Sequence, residues 1–135
     1  MDCIFCKIAK GEIMARIIMA TKNSLAFLDA FPVAKGHALV IPKNHYEKIQ
    51  DMSPDDNKDV FDTVYKVVKK VDKLTGSTLV AIHNGKGAGQ EIPHVHIHLI
   101  PRSTDDSAGA VHSMFKNRPK ISDSEFDQIL GKLKD

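Results

Sequence analysis

Residues 94–101 read His-Val-His-Ile-His-Leu-Ile-Pro, and this alternation constrains the chain more than any other stretch. Side chains on a strand point to opposite faces with a period of two. His94, His96 and His98 therefore share one face, successive ones roughly 7 Å apart. Val95, Ile97 and Leu99 share the other, which must be covered by core. Three surface histidines on an ordinary strand would bring like charges together whenever they are protonated, and histidine is only a middling strand residue. The chemical alternatives are a metal site or nucleophilic and acid–base catalysis. Two neighbours on one face can share a metal, but the first and third lie ~14 Å apart, too far to join them easily. The spacing predicts that the three do different jobs.

The rest of the composition says what kind of protein carries this strand. The chain has 135 residues, a length that fits one domain of usual size with a real core and no need of a disulfide net. Lys plus Arg is 19 against 17 Asp plus Glu, a net charge of +2, which speaks against a general nucleic-acid-binding protein. Hydrophobic residues at 42% and charged residues at 27% are those of a globular chain. No run approaches the ~18 apolar residues of a membrane span, and no basic region followed by an apolar stretch opens the sequence. An intracellular, cytoplasmic setting is expected, with the nucleus left open. Seven histidines and no tryptophan are the unusual entries, and all the histidines but His112 lie between positions 37 and 98.

Local signals predict the other elements. Cys3 to Lys10 reads as a helical turn stopped by Gly11. Ile17–Met19 and Leu25–Leu28 read as two strands joined by the polar Thr21-Lys22-Asn23-Ser24, and His37–Ile41 as a third, stopped by Pro42. Ser53-Pro54-Asp55-Asp56 is a helix start: a capping hydroxyl, proline at the first helical position and acids near the positive end of the dipole. Val60, Phe61, Val64, Val67, Val68, Val71 and Leu74 then form one apolar stripe, closed by Gly76. Leu79–Ile82 reads as a fourth strand, Gly85–Gly89 as a glycine-rich loop and His94–Ile100 as a fifth strand. Thr104 to Gly109 is polar. Ser122 with Glu125 forms a capping box before a short terminal helix carrying Phe126, Ile129, Leu130 and Leu133. Strands, a long helix and more strands make an α+β pattern with a mainly antiparallel sheet. Residues 1–103 are expected to form the core, with 104–135 a tail belonging to the same domain.

Two smaller motifs bear on chemistry. Cys3 and Cys6 form a C-x₂-C pair. A disulfide staple does not suit a chain without a visible secretory signal, and a thioredoxin-like redox pair lacks its surrounding pattern. Two unliganded thiols or half of a zinc site are left, and with no further cysteine the other two ligands would be histidines. The Gly85–Gly89 loop stands just before the histidine strand. Glycines let backbone N–H groups approach an anion, so the loop reads as a phosphate cradle or as an ordinary hairpin loop.

The segment His94-Val95-His96-Ile97-His98-Leu99-Ile100 resembles the His-φ-His-φ-His-φ-φ signature (φ apolar) of the histidine triad (HIT) superfamily. Cys3-Ile4-Phe5-Cys6-Lys7-Ile8, Leu25-Ala26-Phe27-Leu28-Asp29, Gly36–Lys43 and Gly89-Gln90-Glu91-Ile92-Pro93 resemble the family's other blocks in order and spacing, so the likeness runs over residues 2–103. The branch looks like the Hint-type and zinc-containing HIT hydrolases. The resemblance implies an α+β HIT fold: a five-stranded antiparallel sheet, one long and one short helix, and sheets joined in a homodimer. It implies attack of His96 on the α-phosphorus of a purine nucleoside phosphoramidate or dinucleoside polyphosphate, through a nucleotidyl-histidine that water then releases. His94 would orient His96 through its carbonyl, while His37 and His98 flank the phosphate. Backbone N–H groups from Gly89 to His96 would cradle its oxygens. Asp29 would take the ribose hydroxyls, Phe5, Ile8, Phe27 and Leu39 the purine, and Gln90 would shape the loop. Two positions depart from the family pattern: His83 stands where Asn or Gln often contacts phosphate, and Glu91 where the Hint branch often has Ser. The resemblance also completes the cysteine pair with His45 and His94 as a structural Zn²⁺ site. The expected partner is a purine nucleotide such as an AMP conjugate, with no membrane. The alternative is a nucleotide-binding or partner-binding HIT protein with little activity; DNA-end processing as in aprataxin relatives lacks a basic stripe or an added zinc finger.

Overall fold

The computed structural model describes residues 2–134, which divide by internal packing into two compact units, one running up to Thr104 and one from Asp105 onward. The first unit is built on five strands: β1 (Ile17–Ala20), β2 (Ser24–Leu28), β3 (Ala38–Pro42), β4 (Thr78–Ala81) and β5 (Ile97–Pro101). They form one antiparallel sheet in the order β1-β2-β3-β5-β4. Helix α1 (Ile4–Ala9) precedes the sheet and α2 (Pro54–Thr75) joins β3 to β4; α3 (Asp123–Lys134) lies in the second unit. The expected five-stranded antiparallel sheet with a long and a short helix is present, and α1 is a third helix of six residues.

The start and stop signals act as their chemistry dictates. Ser53 Oγ accepts the Asp56 N–H at 3.1 Å, Pro54 occupies the first turn, and Gly76 closes α2 at φ 89°, a left-handed conformation that glycine adopts without strain. At α3, Glu125 N–H donates to Ser122 Oγ while Glu125 Oε1 accepts the Ser122 N–H, closing the capping box.

The sheet is packed on both sides. On one side Val60, Val67 and Val71 of α2 bury Ala26 of β2, Ala38 and Val40 of β3, and Val95, Ile97 and Leu99. On the other, Leu25 and Phe27 of β2 and Leu39 and Ile41 of β3 join Cys3 and Phe5 in a second cluster. The alternation at 95–99 is thus realised as read, with its apolar half against α2. Regular pairing, however, begins at Ile97, not at His94. The Val95 N–H goes to Tyr46 O at 2.7 Å and the His94 N–H to Ile92 O at 2.8 Å, so this part bonds to loops before it joins β3.

Candidate functional site

Register carries the histidines onto the second face. Leu39 pairs with His98 and Val40 with Ile97, so the row that is apolar on β2 and β3 becomes imidazole at β5. A cavity of about 440 Å³ opens there, a size suited to a small ligand. Its apolar end is lined by Phe5, Ile8, Phe27 and Leu39, and its polar end by Asp29, His37, His83, His96 and His98, with Gly89 and Glu91 alongside. Phe5, Phe27 and Leu39 are also buried core, so they do both jobs.

Backbone contacts set the tautomer of each buried imidazole. His96 Nδ1–H donates to His94 O at 2.7 Å, which leaves the Nε2 lone pair free. His94 Nε2–H donates to Pro42 O at 2.9 Å, which leaves Nδ1 as the lone pair. The Val33 N–H donates to His37 Nδ1 at 3.1 Å, so the hydrogen of neutral His37 sits on Nε2 and donates to His98 Nδ1 at 2.9 Å. His98 is left carrying its hydrogen on Nε2. All four rings are held neutral. Burial lowers His37 and His96 from the ordinary imidazole value, and burial, helped by neighbouring histidines, lowers His94 and His98 to about 4. The arrangement offers one unprotonated nitrogen on His96 beside one N–H donor on His98, their ring centroids 5.0 Å apart. Phe5 packs edge-on against His96 at 5.1 Å.

Asp29 Oδ1 accepts the Phe31 N–H at 2.9 Å, and Oδ2 lies 3.6 Å from His37 Nε2. Asp29, His37 and His98 converge closely enough to suggest a cation site. The tautomers oppose it, because binding at His37 Nε2 would require that nitrogen to lose its hydrogen while Nδ1 already accepts one.

The glycine-rich loop departs from the cradle expected of it. The N–H groups of Ala88 and Gln90 bond to Gly85 O, that of Gly89 to Lys86 O, and that of Gly85 to Gln90 Oε1 at 2.7 Å. These donors are engaged inside the loop, closed by a 3₁₀ turn over Lys86–Ala88, so they are not presented to an anion. Gln90 is buried and lies outside the cavity wall; its Nε2 donates to Glu47 O and Ile92 O at 2.8 and 3.0 Å. It braces the loop through three backbone contacts.

The cysteine pair meets the two histidines behind the strand. Nδ1 of His94 is 3.4 Å from Cys3 Sγ, 3.6 Å from Cys6 Sγ and 3.2 Å from His45 Nδ1, and Cys6 Sγ is 3.3 Å from His45 Nδ1. All four ligand atoms lie within 4.8 Å of one another. A tetrahedron with zinc–sulfur and zinc–nitrogen bonds has edges of about 3.3–3.8 Å, so the donor set has the right size and chemistry. Burial and the adjoining Cys3 push the Cys6 thiol up, the opposite of what a thiolate ligand needs and what a bound cation would reverse. His94 thus faces this cluster with Nδ1 and supports His96 with its carbonyl, while His96 and His98 serve the cavity: the three histidines are divided.

Several contributors carried no local sequence signal. Ile13, Met14, Ala15 and Arg16 line the cavity from an irregular segment before β1. Asp56, read as a helix-start acid, is buried and accepts hydrogen bonds from Tyr46 Oη at 2.6 Å and Asn44 Nδ2 at 2.9 Å, the two residues flanking His45. Val33 also lines the cavity, and its backbone N–H fixes His37. His112, outside the expected site, is in the second unit.

An open five-stranded antiparallel sheet with a divided histidine row defines a histidine triad protein. The family model described as HIT domain matches residues 10–105, and the chain belongs to that family. Over 106 residues it is 43% identical to an adenosine 5'-monophosphoramidase of Schizosaccharomyces pombe, covering 78% of each chain. It is 35% identical over 132 residues to an adenylylsulfatase of Arabidopsis thaliana, covering 96% of this chain and 66% of that one. Among solved structures, a histidine triad nucleotide-binding protein from Candida albicans superposes with a TM-score of 0.84 at 32% identity, covering 98% of this chain and 95% of that one.

Proposed function

We propose that the protein is a nucleotide hydrolase or nucleotidyl transferase acting on purine nucleoside phosphoramidates or dinucleoside polyphosphates through a covalent intermediate on His96. The similarity to a monophosphoramidase and an adenylylsulfatase supports nucleotide hydrolysis in general. The observation that carries the finer reading is the opposed pair of tautomers: His96 offers a bare Nε2, and His98 beside it offers an Nε2–H. Nε2 of His96 forms a bond to the α-phosphorus while the bond to the leaving group breaks, and water then displaces His96 and releases the nucleoside monophosphate. An amine leaves only if it gains a proton: His98 gives its Nε2 hydrogen to the departing nitrogen as the P–N bond breaks, and its Nδ1 takes up the hydrogen of His37 Nε2, a reading supported by their 2.9 Å contact. Asp29 takes the ribose, and Phe5, Ile8, Phe27 and Leu39 the purine.

Cys3, Cys6, His45 and His94 would hold a structural Zn²⁺, which would tie the N-terminal segment to the strand that carries the nucleophile. Two copies of the chain would join their sheets as a dimer. Incubation with an adenosine 5'-phosphoramidate followed by acid-free mass spectrometry should show a nucleotidyl adduct on wild type and none on His96→Ala. Turnover by His96→Ala at wild-type rates would overturn the mechanism, and AMP binding without cleavage of any substrate would favour a non-catalytic binding protein. Metal analysis should find about one zinc per chain; none, with full activity after chelation, would remove the zinc. Light scattering at the 14.9 kDa of a single chain would remove the dimer.

A further inference from the structure

Five imidazoles line the cavity or stand directly behind it, and four of them are locked. His37, His94, His96 and His98 each have a ring nitrogen tied to backbone or to another ring. His83 differs. It stands in the cavity wall with its ring centroid 5.5 Å from that of His98, and among the described residues its ring nitrogens make no hydrogen bond. It is half-buried. Its ring packs against Gly89 of the loop: a Cβ there would come within 3.2 Å of its Cδ2, and φ 102° at Gly89 is strained for any other residue. The imidazole is therefore held in place by packing alone, with both nitrogens available to a ligand. The charged and titratable groups that line the cavity with it are His98 of β5 and His96 just before that strand, Glu91 from the following loop, Asp29, His37, and Arg16 from the segment before β1.

The geometry points to His83 as a specificity residue that favours substrates with an anionic leaving group, the phosphoanhydrides, over those that release an amine. This rests on the hydrolase reading above. In both classes the His96 Nε2–P bond forms as the old bond to phosphorus breaks. With an amide, the P–N bonding pair leaves on nitrogen, which needs a proton. With an anhydride, the P–O bonding pair leaves on an oxygen of the departing phosphate chain, which needs no proton but gathers negative charge. A second N–H donor or cation beside His98 stabilises that charge and contributes little to a neutral amine.

The measurement is the ratio of kcat/KM for diadenosine tetraphosphate to that for an adenosine 5'-phosphoramidate, at pH 6, in wild type, in the neutral variants His83→Ala and His83→Leu, which carry no side-chain donor, and in His83→Lys. Both neutral variants should lower the ratio about tenfold, the effect of one charge-assisted contact, and the lysine should hold it near the wild-type value. A ratio unchanged in the neutral variants, or one that falls equally in His83→Lys, overturns the proposal. Titration calorimetry with ADP and AMP supplies a readout that needs no turnover. The ADP β-phosphate occupies the leaving-group position, so the preference for ADP over AMP should shrink in the neutral variants and persist with lysine. If wild type cleaves neither substrate, the hydrolase reading fails and the ADP/AMP ratio alone decides on His83.

Discussion

The sheet has two faces made by the same strands, and they are used for opposite purposes. Against α2, Ala26, Val40, Ile97 and Leu99 continue one apolar layer across β2, β3 and β5 without interruption. On the other side the layer runs through Leu25, Phe27, Leu39 and Ile41 and then stops at β5, where His96 and His98 take the next places. The helix face is uniform, and uniform apolar packing stabilises the fold. The site face gives up part of that packing to hold neutral imidazoles: His37 and His96 are secured by a backbone N–H or carbonyl, and His98 by the His37 ring. Neighbouring residues on one strand should therefore fail in different ways when they are changed.

The sharpest test sets His96→Ala against Leu99→Ala. Loss of the proposed nucleophile should reduce turnover by at least about 10⁴-fold while the urea midpoint moves little. Leu99→Ala, on the helix face, should lower unfolding free energy by about 2–5 kcal/mol and leave kcat/KM of the folded fraction within about threefold. A similar loss of activity in both would erase the division between faces. Phe27 belongs to both core and cavity, and Phe27→Ala should show both defects: about 3–5 kcal/mol of stability and a raised KM for purine substrates. A pure stability defect would take Phe27 out of the purine slot.

Asp56 gives a subtler separation, since it stands at the start of the helix that covers one face yet clamps the loop bearing His45. Asp56→Asn should weaken binding of the zinc proposed at Cys3, Cys6, His45 and His94 by about tenfold in a chelator competition, with α2 retained by circular dichroism. Unaltered zinc affinity would confine Asp56 to the helix cap.

The smallest effect is on pH. His98 is lowered to about 4, and His37 and His96 are lowered too, so the folded protein binds fewer protons than the unfolded chain below the ordinary imidazole value of 6.5. Stability is then complete above about pH 6.5 and falls as the pH drops toward 4. Urea midpoints measured from pH 7.5 to 4.5 should decline on that limb, and His98→Gln should flatten part of the slope. A flat profile in wild type would mean that the rings are not held neutral by burial.

The sequence by itself determined whatever depends on neighbours along the chain. The period of two in residues 94–99 assigned every side chain to its face, because a strand has only two. Ser53-Pro54 and Gly76 bounded α2, because capping needs nearby donors and a left-handed residue. Family resemblance added the expected roles of Asp29, His37 and the cysteine pair. The tertiary structure alone decided what depends on chains meeting. It brought Cys3 within 3.4 Å of His94, 91 residues away, and it set the tautomers through the distant Pro42 carbonyl and the Val33 N–H. It turned the N–H groups of Gly85, Ala88, Gly89 and Gln90 inward, and among the described residues it left His83 as the one imidazole of the cavity wall without a hydrogen bond. Composition and spacing specify which groups a chain owns, but hydrogen bonding and burial between remote segments decide which nitrogen carries the proton, and that is where the chemistry of an imidazole resides.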